Sequence, residues 1–239
     1  MIGPAPASEA HPIARGVTAL PGGFALLEAS RVLLCADAHF AYEDVMGGAL
    51  PLWSTAETSA TIASAARRHG VREIVFLGDV LHGSSMSAGA VRAVQDALLA
   101  LRAIAPLTFV AGNHEGRGRG RSILGETVEA CERDGWHLIH GDKAPLAGTP
   151  SIIGHLHPSV HLGAGNAMPA FLAARDLVVV PALTPYSIGL DVLSDACLAA
   201  LAPYGLTRAA VHVVAASAAR VYPFGTLSRV YHFLRSARE

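Results

Sequence analysis

The chain has 239 residues, enough for one sizeable α/β domain or at most two small ones. Lys and Arg total 18 against 19 Asp and Glu, a formal net charge of -1, so no global basic field favours nucleic acid and any such contact must be local. No apolar run reaches the roughly 18 residues that cross a bilayer, and residues 1–16 hold no apolar signal core. The cysteines Cys35, Cys131 and Cys197 are odd in number and far apart, which predicts reduced thiols and a cytoplasmic setting without membrane attachment.

In chain order, Phe24 to Glu28 and Arg31 to Asp37 are short apolar stretches around a turn and predict an opening β-hairpin. Ser54 followed by Glu57 fits a helix capping box, with a helix running to about His69 before Gly70. Ile74-Val75-Phe76-Leu77 reads as a buried strand of a parallel sheet that delivers Asp79 at its C-terminal edge. A helix from about Ser87 to Arg102 and a strand from Leu107 to Ala111 follow. The tract from Gly116 to Arg121 has no periodicity and predicts a loop, and a helix is expected from about Gly125 to Arg133. Strands are predicted around Trp136 to Ile139, Ser151 to Ile153, Val178 to Val180, Val211 to Ala215 and Arg220 to Tyr222. Leu227, Val230, Tyr231 and Leu234 share one face of a short terminal helix. No repeat or linker interrupts residues 1–239, which predicts one domain, with 1–20 as a flexible N-terminal segment and 224–239 as a C-terminal helix or tail. The fold class expected is α/β (α+β by some schemes): two packed β-sheets flanked by helices.

The polar strand ends form a series: Asp37-x-His39, Gly78-Asp79-x-x-His82, Gly112-Asn113-His114-Glu115, His140-Gly141-Asp142 and Gly154-His155-x-His157. Charged groups at the mouths of buried strands are costly unless something pairs with them, and the C-terminal edge of such a sheet is where ligands collect. Imidazoles mixed with carboxylate and amide oxygens suit divalent transition metals, whereas an all-oxygen set suits Mg or Ca. The series resembles the calcineurin-like metallophosphoesterase superfamily, whose motifs DxH, GDxxH or GDxxD, GNH[DE], HG and GHxH all occur here in the family's order. Each motif alone is weak; five in order are specific.

Residue by residue, the resemblance implies two divalent metal ions. One would be held by Asp37, His39, Asp79 and His157, the other by Asp79, Asn113, His140 and His155, with Asp79 bridging. Manganese is the metal implied first, with iron, zinc, cobalt or nickel as alternatives. It further implies a metal-activated hydroxide attacking phosphorus, with His114 as general acid and His82 orienting it or touching the phosphate. Within the superfamily, the 14 residues between His140 and His155 and the segment from Pro181 to Val192 resemble the bacterial ligase-associated DNA-damage-response metallophosphoesterases. That resemblance implies cleavage of single-stranded DNA in repair, beside a DNA ligase, a helicase and an exonuclease-like protein. Two departures stand out: Ala41-Tyr42 replaces a Gly-Lys pair common in relatives, and Ser187-Ile188-Gly189 replaces Thr-Gly-Gly.

Arg117, Arg119 and Arg121 follow directly on His114 and are candidate phosphate contacts, the alternative being a solvated loop. Tyr42, Trp53 and Trp136 are candidates for base stacking, against rim or core packing for the tryptophans. Cys35 is expected in the core, and Gly163 to Asn166 reads as a turn. His11, His69, His137, His161, His212 and His232 match no motif. A homodimer is compatible with the sequence. The alternatives to a DNA endonuclease are a small-molecule phosphodiesterase or phosphomonoesterase acting on nucleotides, and a non-catalytic module, which the full ligand set disfavours.

Overall fold

The structure, a computed structural model, describes residues 6–47, 52–83, 85–114, 119–146, 148–161, 167–187 and 189–236. Strands β1 (His11–Ala14), β2 (Val17–Leu20), β3 (Phe24–Leu27) and β4 (Val32–Cys35) run as an antiparallel meander. After α1 (Tyr42–Val45) and α2 (Trp53–Arg68), β5 (Glu73–Leu77) pairs parallel with β4. Helix α3 (Ala88–Arg102) then crosses over to β6 (Leu107–Val110), which pairs parallel with β5 and completes a six-stranded sheet.

The second sheet begins after α4 (Arg119–Leu124) with β7 (Cys131–Arg133), β8 (Trp136–Leu138) and β9 (Ser151–Ile153). It continues with β10 (Pro158–His161), β11 (Ala167–Ala173), β12 (Leu177–Val179) and the short β13 (Leu190–Asp191). Helix α5 (Asp195–Leu201), β14 (His212–Ala216), β15 (Val221–Thr226) and α6 (Leu227–Ser236) close the chain. The strand order is β13-β10-β11-β12-β9-β8-β7, with β14 also pairing with β11 and β15 with β14.

Side-chain alternation explains the layering. In β5, Val75 and Leu77 join Leu34 of β4, Ile152 of β9 and Val178 of β12 in the core between the sheets. Ile74 and Phe76 point the other way, onto Ile62 of α2 and Val94 and Leu98 of α3. Behind the second sheet, Leu177 and Val179 pack with Cys197 and Leu201 of α5 and Leu227 and Val230 of α6. The result is the expected pair of sheets flanked by helices, four layers with three apolar seams. Cys35 is wholly buried, as its alternation implies.

Several local expectations differ from what the fold adopts. The first 20 residues are not a flexible segment from His11 onward: β1 and β2 extend the first sheet, and Val17, Ala19 and Leu20 are buried. Ser54 and Glu57 do not cap α2; the helix begins after Leu52 without a side-chain cap, because the Ser54 hydroxyl donates to Glu43 at 2.7 Å. No helix spans 125–133: Val128 bridges to Val110, and β7 returns through a hairpin to β8. Asp134 and Gly135 both adopt left-handed φ, the geometry a tight two-residue hairpin requires. The Gly/Arg tract is not all loop, since α4 starts at Arg119. Gly163 to Asn166 lies outside the described residues. Strands β10, β11 and β13 and helix α5 complete the second half and had no sequence expectation.

Candidate metal centre

The strands stop in register at the site. Beyond Cys35, the pairing of β4 with β5 continues through Asp37, whose N–H donates to Gly78 O, and His39, whose N–H donates to Asp79 O at 3.0 Å. Among the described residues, eight non-glycine positions have positive φ, and five of them are Asp37, His39, Asp79, His155 and His157. Left-handed backbone costs an ordinary residue roughly 1–2 kcal/mol, somewhat less for Asp or His with local hydrogen bonds. Backbone strain of this kind concentrates where side chains are aimed at something.

Two glycines make room for that aim. A Cβ at Gly112 would fall onto the backbone nitrogen and Oδ1 of Asp79, and one at Gly78 onto the His140 ring. The Gly of GN and the Gly of GD therefore exist so that β6 and His140 can close on Asp79.

Two groups of donor atoms face each other, each within 4.8 Å: Asp37, His39 and His157, and Asp79, His140 and His155. Asn113 joins the second, its Oδ1 2.8 Å from His140 Nε2. Asp79 and His140 are 2% exposed and Asp37 is fully buried, so water screens little of their charge. The Asp37 carboxylate accepts the His155 N–H on Oδ2 at 2.9 Å, while its Oδ1 is buried without a hydrogen-bond partner and faces His157 Nε2 at 3.3 Å.

His140 shows most directly what the site fits. Its Nδ1 lies 2.9 Å from Leu77 O, which can only accept, so Nδ1 carries the proton and Nε2 faces inward. Around Nε2 converge Asn113 Oδ1, Asp79 Oδ2 at 3.3 Å and His155 Nδ1 at 3.1 Å. Three lone-pair-bearing atoms aimed at one nitrogen call for a shared cation, a proton or a metal. Burial alone would lower the His140 pKa, but its bond to Asp79 and the charges of Asp79 and Asp37 carry it up to about 9. Burial would raise Asp79, yet the same His140 contact and the His114 backbone N–H hold it at about 2. His39 is different: burial lowers it to about 4 against the pull of Asp37 and Asp79, so it stays neutral, the form that ligates. The donor set, the orphaned Asp37 oxygen and the converging lone pairs fit divalent transition metals.

The structure places Asp79 with the second group; its Oδ1 accepts the His114 N–H at 2.8 Å. His114 is exposed, its Nε2 4.0 Å from Asp79 Oδ2 and its Nδ1 3.3 Å from His82 O. His82 stacks against His114 with ring centroids 5.4 Å apart and approaches His39, Nδ1 to Nδ1, at 3.2 Å. His39, His82 and His114 form a third donor triple that sequence reasoning did not anticipate. Tyr42 leans on His82, with centroids 4.3 Å apart. Arg117 lies outside the described residues, as do the side chains of Arg119 and Arg121. Trp136 is core, its Nε1 donating to Arg15 O, and Trp53 is exposed on α2.

Sequence reasoning singled out the segment from Pro181 to Val192 but gave no role to Ser187 or Tyr186. The Ser187 hydroxyl lies 2.9 Å from His157 Nδ1, orienting the ring so that Nε2 faces Asp37. Both come from the segment between β12 and β13, which carries no His, Asp or Glu to mark it as part of a metal site.

A family model described as calcineurin-like phosphoesterase matches residues 30–169, more than half of the chain. Among solved structures, the Pseudomonas putida nuclease MPE superposes with a TM-score of 0.68, covering 90% of this chain and 99% of that one at 24% identity. YfcE, a phosphoesterase from E. coli, matches at 14% identity over 76% of this chain and 86% of that one, with a TM-score of 0.40. No curated protein matches.

Proposed function

The chain belongs to the calcineurin-like phosphoesterase family, and from that premise we propose that it is a dinuclear, manganese-dependent phosphodiesterase that cuts single-stranded DNA in repair. The observation that carries the reading is the pair of facing donor groups, Asp37, His39 and His157 against Asp79, His140 and His155, with Asn113 alongside. In the proposal Asp79 is shared between the two ions. Bound there, two divalent ions would lower the pKa of a coordinated water and neutralise the phosphoryl oxygens as charge develops.

The chain's own residues supply the rest. His114 donates from Nδ1 to the His82 carbonyl, which leaves Nε2 on the pocket side to hand a proton to the departing oxygen. His82 acts as a positioning residue, through that carbonyl and through its ring stacked against His114. The Pseudomonas putida protein is called a nuclease, and its likeness in fold supports a polynucleotide substrate. A net charge of -1 favours a second reading, hydrolysis of a small nucleotide diester, because no broad basic field recruits a polyanion.

Circular single-stranded DNA incubated with Mn, Mg, Zn or no metal, beside a chromogenic diester and monoester, separates the two. Linearised circles with Mn, abolished in Asp79→Ala and His114→Ala, support the endonuclease. Intact circles with turnover of the diester sink it and leave the small-nucleotide reading standing.

A further inference from the structure

Four rings run outward from the candidate metal centre. His114 stacks on His82 at 5.4 Å and 27°, His82 meets Tyr42 at 4.3 Å and 43°, and Tyr42 stacks on Tyr186 at 4.5 Å and 17°. The column ends in solvent, with Tyr186 45% exposed. An exposed tyrosine normally swings freely, but this one is anchored: its hydroxyl donates to Glu43 Oε1 at 3.0 Å. Glu43 is itself buried and accepts from the Ser54 N–H and hydroxyl, tying α1, α2 and the 184–187 segment into one corner. Met46 and Trp53, 64% and 73% exposed, lie on the same corner, at the end of α1 and the start of α2.

A held, exposed aromatic face that is stacked back to the reacting centre presents preorganised area to a flat ligand at low entropy cost. The described residues of this rim carry no Lys or Arg, so the ligand part it suits is neutral and aromatic. We propose that the Tyr42–Tyr186 pair is a nucleobase-stacking subsite, taking the base of the nucleotide that flanks the phosphate held at the metal centre. The inference rests on the phosphodiesterase reading for the position of that phosphate, but not on whether the polymer is cut. Stacking tolerates every base, so the subsite selects for unpaired bases and not for sequence.

The test is equilibrium binding. Fluorescence anisotropy is measured on metal-free protein, so that neither strand is cut, with a labelled oligothymidylate and with an abasic oligomer of equal length and charge. Wild-type protein should prefer the thymidylate by ~5- to 150-fold, the span of stacking one base. Tyr186→Leu should erase the preference, and Tyr186→Phe should keep part of it, below wild type, because the ring stays while the Glu43 anchor is lost. Equal affinity of wild type for both oligomers overturns the proposal. So does a Tyr186→Leu loss that is the same on both, which would mark a purely structural contact.

A parallel kinetic pair, thymidine 5′-(p-nitrophenyl phosphate) and its abasic counterpart, should differ in KM more than in kcat. If bases are preferred in binding but circular DNA stays intact, the endonuclease reading fails and the subsite stands. If circles are cut with no base preference, the subsite fails alone.

Discussion

Leu77 O fixes the proton on one nitrogen of His140 and leaves the other nitrogen to exchange a proton for a cation. With its pKa carried up to about 9, His140 is protonated in the metal-free protein at neutral pH, so the metal must displace that proton. Apparent metal affinity is therefore expected to rise with pH until about 9, with close to one proton released per metal bound at His140. Calorimetry in buffers of differing ionisation enthalpy reads that proton directly, and a pH-independent affinity would refute the assignment. Ser187 acts one bond further out, holding His157 by Nδ1. Ser187→Ala should weaken metal binding by ~10- to 100-fold, the usual penalty for losing a partner behind a ligand. A metal titration that leaves the Kd of Ser187→Ala unchanged would remove Ser187 from the site.

At the level of elements, the corner around Glu43 is the least expected feature. One buried carboxylate accepts from Ser54 twice and from Tyr186 once. Although burial works to raise it, these hydrogen bonds hold its pKa below the usual carboxylate value. Glu43→Ala strands the Ser54 donors, and unfolding in urea should report a loss of about 1–3 kcal/mol. A loss within error would mean that water replaces the carboxylate. The same corner explains one misreading of the sequence, since Ser54 faces Glu43 instead of capping its own helix. What was legible followed from local rules. Strands β4, β5 and β9 announce themselves as apolar runs ending in Asp37, Gly78-Asp79 and Gly154-His155, and α3 is capped by Ser87, whose side chain accepts from the Ala90 N–H. What was not legible depended on distant partners. Strand β10 opens with Pro158 and β11 contains Pro169, so neither reads as a strand until each pairs with the other. The hairpin of β7 and β8 was hidden because Asp134-Gly135, its turn, falls just past Arg133, where it reads equally well as the stop of a helix.

For the whole molecule, burying so many ionisable groups between two sheets makes stability depend on pH and on metal. His140 has a folded pKa above the ordinary histidine value of about 6.5, so its contribution is complete below about 6.5 and is lost as pH rises through about 9. Asp79 stands at about 2 against 3.8, so its contribution is present above about 3.8 and is lost as pH falls through about 2. His39 runs the other way: burial lowers it to about 4, so keeping it neutral in the fold costs stability as pH falls below about 6.5. The metal-free protein should therefore be most stable near pH 6.5 and weaken toward both pH 4 and pH 9, as thermal unfolding across that range would show. Metal should reverse the alkaline loss, because a cation at His140 Nε2 takes the place of the departing proton. At a hundredfold excess over its Kd, each bound ion adds about 2.7 kcal/mol if the unfolded chain has no affinity for it. For a chain of this size that is about 5–11 °C in Tm per site. Asp79→Ala, which removes the carboxylate proposed to serve both ions, should abolish most of this shift. His114→Ala should keep it while losing turnover, because His114 is proposed to move a proton and not to hold metal. If His114→Ala loses the metal-dependent shift as well, the triple of His39, His82 and His114 binds an ion, and the role of His114 as general acid must be given up.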